Sequence, residues 1–197
     1  MTKNTKEPIN RCSWCEGDEL YERYHDEEWG VALFDDQKLF EFLILEGAQA
    51  GLSWITVLKK RENYREAFDG FDPIEISKYK KRKINALMND AGIIRNQLKI
   101  KSAINNAQRY VEITSAGSSF SDYLWQFVEG KPIQNHFELR SEVPVTTPAS
   151  DLMARTLKKA GFNFVGSTIC YAFMQATGMV NDHLVECHRH TECVKIG

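Results

Sequence analysis

The stretch from Gln37 to Lys60, QKLFEFLILEGAQAGLSWITVLKK, limits what this chain can fold into more than any other. Leu39, Phe40, Phe42, Leu43 and Leu45 crowd its first turns, and Asp35 or Asp36 can cap the free N–H groups at its start. It therefore opens as an apolar helix. A carboxylate, Glu46, follows the run FLIL directly. Burying it unpaired costs roughly several kcal/mol or raises its pKa, so Glu46 calls for a partner or a pocket. No cation follows it until Lys59. Gly47, Ala48, Ala50, Gly51 and Ser53 come next, small enough to let a foreign ring or backbone approach. Trp54 closes the stretch. An acid that accepts N–H donors and an indole that stacks are the parts of a pocket for a flat, electron-poor ring. The same residues also build an ordinary helix–turn–helix corner in a core.

At 197 residues the chain suits one domain with a real core, and its 43% apolar content is that of a globular protein. The polar start MTKNTKEPIN has no apolar export segment, and no run of 18 apolar residues offers a membrane span. With five cysteines, an odd number, this fits a reducing cytoplasm, with thiols or a metal site in place of a disulfide framework. The net charge of −2 hides a pattern. Residues 1–50 hold 5 basic and 12 acidic side chains, and residues 51–110 hold 13 and 6. A basic middle third can face phosphates, or it can be a solvated helical surface.

Residues 1–10 read as a disordered tail. Residues 11–30, RCSWCEGDELYERYHDEEWG, mix aromatics with acids in no amphipathic period and read as a segment draped over the domain to supply side chains to a site. Helix continues from Trp54 to Phe68, with Lys59, Lys60, Arg61 and Arg65 on its polar side. Asp72 can cap the next helix, with Pro73 at its first position. Ile93–Val111 has helical spacing. Phe120–Val128 is a short aromatic helix with Ser121 as its cap, residues 129–149 show no period, and a helix runs from Thr147 to Ala160. No long β alternation occurs, so the fold class is all-α.

Residues 157–178, LKKAGFNFVGSTICYAFMQATG, predict helix, tight turn, helix. Gly161 can end the first helix in a left-handed conformation, Phe164 and Val165 can plug the gap, and Gly166 opens the second helix with Ser167 and Thr168 as caps. Turn N–H groups beside a helix N-terminus dock one phosphate. This is the helix–hairpin–helix pattern of DNA-backbone binding, although such a turn also joins ordinary packed helices. Lys158 and Lys159 just before it favour the phosphate reading.

His183 and Cys187, four residues apart, share a helical face and can grip one metal. Cys12 or Cys15, together with His25, can complete a tetrahedral site that pins residues 11–30 to the end of the chain. Cys193, His188 and His190 compete for the same role. Cys170 reads as core and His136 as surface.

The segments CSW, YHDEEWG, LEGAQAGLSWITVLKKRENYREAF, DAGIIRN, TPASD, GFNFVGSTICYAFMQATG and VNDHLVEC together resemble the bacterial 3-methyladenine DNA glycosylase I family, over about residues 11–187. The resemblance implies an all-α helix–hairpin–helix glycosylase fold, one domain of two helical lobes over residues 11–190, with 191–197 a flexible tail. It implies a structural zinc on Cys12, His25, His183 and Cys187. It places a base pocket on Trp14, Tyr21, Tyr24, Glu46 and Trp54, with Trp29 close by. Gly51 and Leu52 fall on a turn that probes the gap left by a flipped nucleotide, and the Gly161–Gly166 hairpin holds the DNA backbone. The implied reaction is monofunctional excision of 3-methyladenine from double-stranded alkylated DNA by a monomer. A cationic alkylated base stacks well between rings, and Glu46 favours it over neutral adenine. Ser167–Gly178 contains no lysine for a Schiff base. Asp182 stands as an open candidate for a catalytic carboxylate. The competing readings are a non-catalytic nucleic-acid module with a zinc clip, and an iron–sulfur glycosylase-lyase. The second lacks four closely spaced C-terminal cysteines.

Overall fold

The computed structural model describes residues 9–196, so the expected tail over residues 1–10 lies almost wholly outside the described residues. The helices are α1 (Glu19–Glu27), α2 (Asp36–Gln49), α3 (Trp54–Leu58), α4 (Arg61–Ala67), α5 (Pro73–Ser77), α6 (Lys81–Asn89), α7 (Gln97–Ser115), α8 (Phe120–Trp125), α9 (Pro148–Lys159), α10 (Ser167–Ala176) and α11 (His188–Ile196). The only regular strand pairing among the described residues is parallel, between β1 (Ile133–Gln134) and β2 (Val180–Asn181). The all-α class expected from the sequence is what the chain adopts.

Helix α2 is the axis of the molecule. Every residue from Leu39 to Ala48 is buried, and the helix packs against α3, α7, α8 and α10. A helix apolar on all sides must be enclosed on all sides, which fixes the layout of the rest. The two aspartates before it divide two tasks. Asp35 caps α2 by accepting from the Lys38 N–H at 2.8 Å. Asp36 instead accepts from the Phe120 and Ser121 N–H groups, at 3.0 and 2.8 Å, and so anchors the start of α8. The cap of α8 is Ser119, not Ser121. Asp72 and Pro73 start α5 as expected.

Three other expectations shift. The predicted helix from Trp54 to Phe68 breaks at Lys59–Lys60 into α3 and α4, which turns Lys60 Nζ onto the carbonyls of Ala91 and Gly92. The long helix α7 begins later than Ile93, because the Asn96 side chain accepts from Leu98 N and Lys99 N and sets the start. The expected flexible tail from residue 191 instead continues the helix α11, on which Cys193 is buried.

Part of the charge asymmetry is consumed inside the molecule. Lys59 pairs with Asp18 at 2.7 Å, Arg61 with Glu28 at 2.6 Å and Arg65 with Glu41 at 2.7 Å. The acidic first quarter is thus buttoned onto the basic middle. Exposed pairs of this kind contribute little each, but Arg61 is mostly buried and bidentate, which makes it a firm anchor for α1. Lys80, just before α6, and Lys81 and Arg82 on it remain exposed.

The chain between α1 and α2 crosses just beyond the end of α10, at Gly178. Gly30 N donates to Gln175 O and Leu33 N to Thr177 O, at 3.0 and 3.1 Å. A Cβ on Gly178 would stand 2.3 Å from the Val31 carbonyl carbon, so only glycine allows the crossing. That crossing holds the aromatic segment of residues 14–29 against the body of the protein.

Candidate functional site

One cavity of about 380 Å³ opens between α1, α2, α3 and α10. Trp14, Tyr21, Tyr24, Trp29, Glu46 and Trp54 all line it, so the structure gathers every residue expected in a base pocket. The rings form a continuous wall. Trp14 meets Tyr21 edge to face at 4.8 Å and Trp29 at 5.0 Å, and Tyr24 leans on Trp54 at 5.5 Å. Phe42, behind the wall, stacks on Trp54 at 6.4 Å. Edge-to-face pairs leave ring faces free, which a stacked guest can use.

Glu46 lies at the buried floor, 3% exposed, and its Oε2 has no hydrogen-bond partner. The sequence left this carboxylate either a partner or a pocket; among the described residues it has no partner, and it lines the cavity. The cost shows in its protonation: burial pushes the Glu46 carboxyl up to about 8. The Trp54 Nε1 donor is also buried and unpartnered. Each orphaned group costs roughly 1–3 kcal/mol. An acceptor and a donor left unpaired on one cavity are what a polar flat ring would satisfy. The Tyr24 hydroxyl, whose pKa burial and the nearby Glu46 raise, stays a neutral donor.

Asp182 also reaches the cavity but is already engaged. Its Oδ1 accepts from Asn135 Nδ2 at 2.6 Å, and its Oδ2 accepts from Tyr171 Oη at 2.6 Å and Gln175 Nε2 at 2.8 Å. Three donors hold it in place and occupy both of its oxygens.

Behind the aromatic wall sits a buried cluster of Cys12, His25, His183 and Cys187, whose ligand atoms all lie within 4.8 Å of one another. Cys187 Sγ is 3.4 Å from His25 Nε2 and 3.5 Å from His183 Nδ1, and Cys12 Sγ is 3.8 Å from His183 Nδ1. These separations suit the edges of a tetrahedron around one ion. The outward nitrogens are tied: His25 Nδ1 contacts Asp26 Oδ1 at 2.8 Å and His183 Nε2 contacts Trp29 O at 2.9 Å. Both contacts point the lone pairs of the other nitrogens inward, and Arg11 clamps Asp26 in turn. Hydrogen bonding from Cys12 and both histidines pushes the Cys187 thiol well down, towards the thiolate a metal needs. Burial lowers the His183 pKa and keeps its ring neutral. The rivals stand elsewhere: Cys15 Sγ donates to Cys12 O, His190 Nε2 meets Asn135 O, and His188 Nδ1 meets Asn10 O. Trp29 packs on His183 at 4.6 Å and Trp14 on His25 at 5.3 Å, so the cluster carries the cavity wall.

Two other groups lie outside the cavity. Gly51 and Leu52 form an exposed turn at the exit of α2, with Leu52 43% exposed. Lys99 Nζ fixes that exit by donating to Ala48 O and Ala50 O, both at 2.7 Å. The α9–α10 hairpin carries Gly161, Phe164, Gly166, Ser167 and Thr168. Gly161 takes the expected left-handed conformation, and Val165 is the buried plug. Ser167 and Thr168 do not cap: Gly166 takes the cap position of α10 and no side chain bonds its end. Phe164 packs its Cβ against Gly47 of α2, where any larger residue would crowd it. Asn106 clamps Asn163 through both N–H and carbonyl, at 2.8 and 3.0 Å.

Sequence reasoning missed several lining residues. Gln49 is three residues after Glu46 on α2, and Ala172 and Gln175 share a face of α10, so helical spacing could have found them. Arg140, Val143 and Pro144 come from the aperiodic segment 129–149, which gave no signal.

The profile described as methyladenine glycosylase matches residues 14–190. The chain is 51% identical over 179 residues to DNA-3-methyladenine glycosylase 1 of Escherichia coli (strain K12), covering 91% of this chain and 96% of that protein. A crystal structure of 3-methyladenine DNA glycosylase I superposes with a TM-score of 0.90 at 51% identity, over 91% of this chain and 98% of that one. A variant of a 3-methyladenine DNA glycosylase I, in complex with 3-methyladenine, superposes with a TM-score of 0.88 at 36% identity, over 91% and 97%. A match over residues 14–190, with half the residues identical to a curated relative, makes this chain a member of the methyladenine glycosylase family.

Proposed function

We propose that this protein excises 3-methyladenine from alkylated double-stranded DNA, breaking the N-glycosidic bond as the first step of base excision repair. The observation that carries this reading is the unpartnered Glu46 on the floor of a ring-lined cavity. A base alkylated at N3 while still bound to deoxyribose is cationic. Bringing that charge to Glu46 favours the ionised carboxylate, which neutral adenine cannot do. The base stacks on the indole and phenol faces, and Trp54 Nε1 and Glu46 gain the partners they lack.

The reaction follows from the substrate's own charge. The C1′–N9 bond breaks and its electron pair goes to the base, which leaves neutral. A water oxygen bonds to C1′ and its proton passes to solvent. Recognition of the cationic base therefore does most of the work, and Asp182, held by three donors, is not required as a nucleophile or base. Gly51 and Leu52 enter the space left by the extruded nucleotide. The uncapped start of α10, with Lys158 and Lys159 nearby, takes a backbone phosphate in a helix–hairpin–helix contact.

Cys12, His25, His183 and Cys187 would hold a zinc ion. Four protein ligands close the coordination sphere, so the metal would supply structural stability and no reactive position. The protein would act as a monomer in the cytoplasm; no helix among the described residues is long and apolar enough to cross a membrane.

Release of free 3-methyladenine from methylated duplex DNA tests this reading. The wild-type chain should release it, and Glu46→Ala and Trp54→Ala should not, while both remain folded. Full activity in both variants would overturn the pocket assignment. Duplex binding without base release would favour a non-catalytic DNA-binding module.

A further inference from the structure

Besides the carboxylates of Glu46 and Asp182, the cavity has one cationic lining residue, Arg140. Arg140 lines it from a 3-10 turn, Arg140–Glu142, whose side chain is exposed at the rim. The turn is braced: Glu142 Oε2 accepts from Glu138 N and Leu139 N at 2.8 and 3.0 Å. Arg140 lies close enough to the half-buried Tyr21 for its charge to act on that phenol. Among the described residues no carboxylate pairs with Arg140; Arg23, Arg82, Arg95 and Arg155 also lack an acidic partner, but Arg140 is the one among them that lines the cavity. Burial alone sets the raised pKa of Glu46, so the guanidinium does not compensate the floor.

The cavity is thus bipolar, with an acid at its floor and a guanidinium at its rim. An extruded N3-alkylated nucleotide has the matching polarity, a cationic base and an anionic phosphate. Resting on the glycosylase reading above, we propose that Arg140 binds a phosphate flanking the extruded nucleotide and so positions it over the cavity. Arginine suits the task because its planar fork grips two phosphate oxygens at once. This positioning residue serves DNA with a flipped base, and it does nothing for the free base.

Arg140→Gln and Arg140→Lys test the assignment, with two readouts on each protein. The first is affinity for a duplex carrying one abasic-site analogue, measured from 50 to 300 mM KCl. The second is quenching of tryptophan fluorescence by free 3-methyladenine. Arg140→Gln should bind the duplex about 10-fold more weakly at low salt, and its log–log salt slope should shrink by about 1. Arg140→Lys should restore the slope but only part of the affinity. Free-base binding should stay at the wild-type value in both. An unchanged salt slope in Arg140→Gln would overturn the proposal, as would an equal loss of free-base and duplex affinity. If the wild-type protein releases no 3-methyladenine from methylated duplex DNA, it is the glycosylase reading that falls.

Discussion

Two buried polar regions lie back to back in this protein and are treated in opposite ways. In the Cys12–His25–His183–Cys187 cluster each histidine has its outward nitrogen tied, and the acid behind His25 is itself clamped by Arg11. At the cavity floor, Glu46 Oε2 and Trp54 Nε1 are buried with nothing to bond. Both regions cost desolvation, but only the first regains it from the protein. A polar group satisfied within the fold is scaffold; one left unsatisfied at a cavity is reserved for something that arrives later. The two are coupled through the rings, since Trp14 and Trp29 rest on the cluster's histidines and face the cavity.

The comparison breaks most visibly at the cluster. Cys187→Ser should lose about one equivalent of bound zinc and lower Tm by roughly 10 °C or more, because metal binding is then part of the folding free energy. Metal content by atomic spectroscopy, with a thermal scan, checks both; retention of a full equivalent with an unshifted Tm would make the cluster ordinary packing.

At the floor the same kind of change should do the reverse. Glu46→Gln should lower excision of 3-methyladenine by at least about 100-fold. It should also raise stability, in a pH-dependent way. The carboxyl pKa is about 8 when folded against 4.5 as its ordinary value. Near pH 4.5 and below, both states hold the proton and its burial costs little. As pH rises from 4.5 to 8 the unfolded state releases the proton first, and stability drains away by an amount on the order of 4 kcal/mol. The Tm advantage of Glu46→Gln should therefore be small at pH 5 and largest above pH 8. A pH-independent difference would mean that Glu46 is charged and compensated in the native protein.

Most of this layout was legible beforehand. The apolar run of α2 and the glycine-bounded hairpin each carry a local signal, because each is set by neighbours in the chain; His183 and Cys187 do come together, but on the turn before α11 and not on the helical face that their spacing suggested. The charge pattern misled for the opposite reason. Lys59, Arg61 and Arg65 look like a phosphate face, yet their partners Asp18, Glu28 and Glu41 come from a distant segment. Arg140 was unreadable because residues 129–149 are ordered by single bonds such as those to Glu142, not by a periodic face. The helical end of the chain was missed because the burial of Cys193 that accompanies it is a tertiary fact.

Finer changes sharpen the contrast. Asp26→Ala releases the outer nitrogen of His25 and should weaken zinc affinity about 10- to 100-fold in a chelator competition, with the pocket's preference for 3-methyladenine intact. Trp54→Phe keeps most of the ring but removes the orphaned N–H. Its unfolding free energy in urea should change by only about 1 kcal/mol, while excision slows.

The protonation of Glu46 can be read directly. A ¹³C NMR titration of the side-chain carboxyl carbons, assigned with Glu46→Gln, should show one carboxyl titrating near pH 8 in the free protein. Duplex DNA holding a cationic, non-cleavable alkylpurine analogue should move that midpoint down by more than a unit. A midpoint near 4.5 in the free protein, unmoved by the analogue, would contradict the claim that this carboxylate is kept unpaired for a positively charged base.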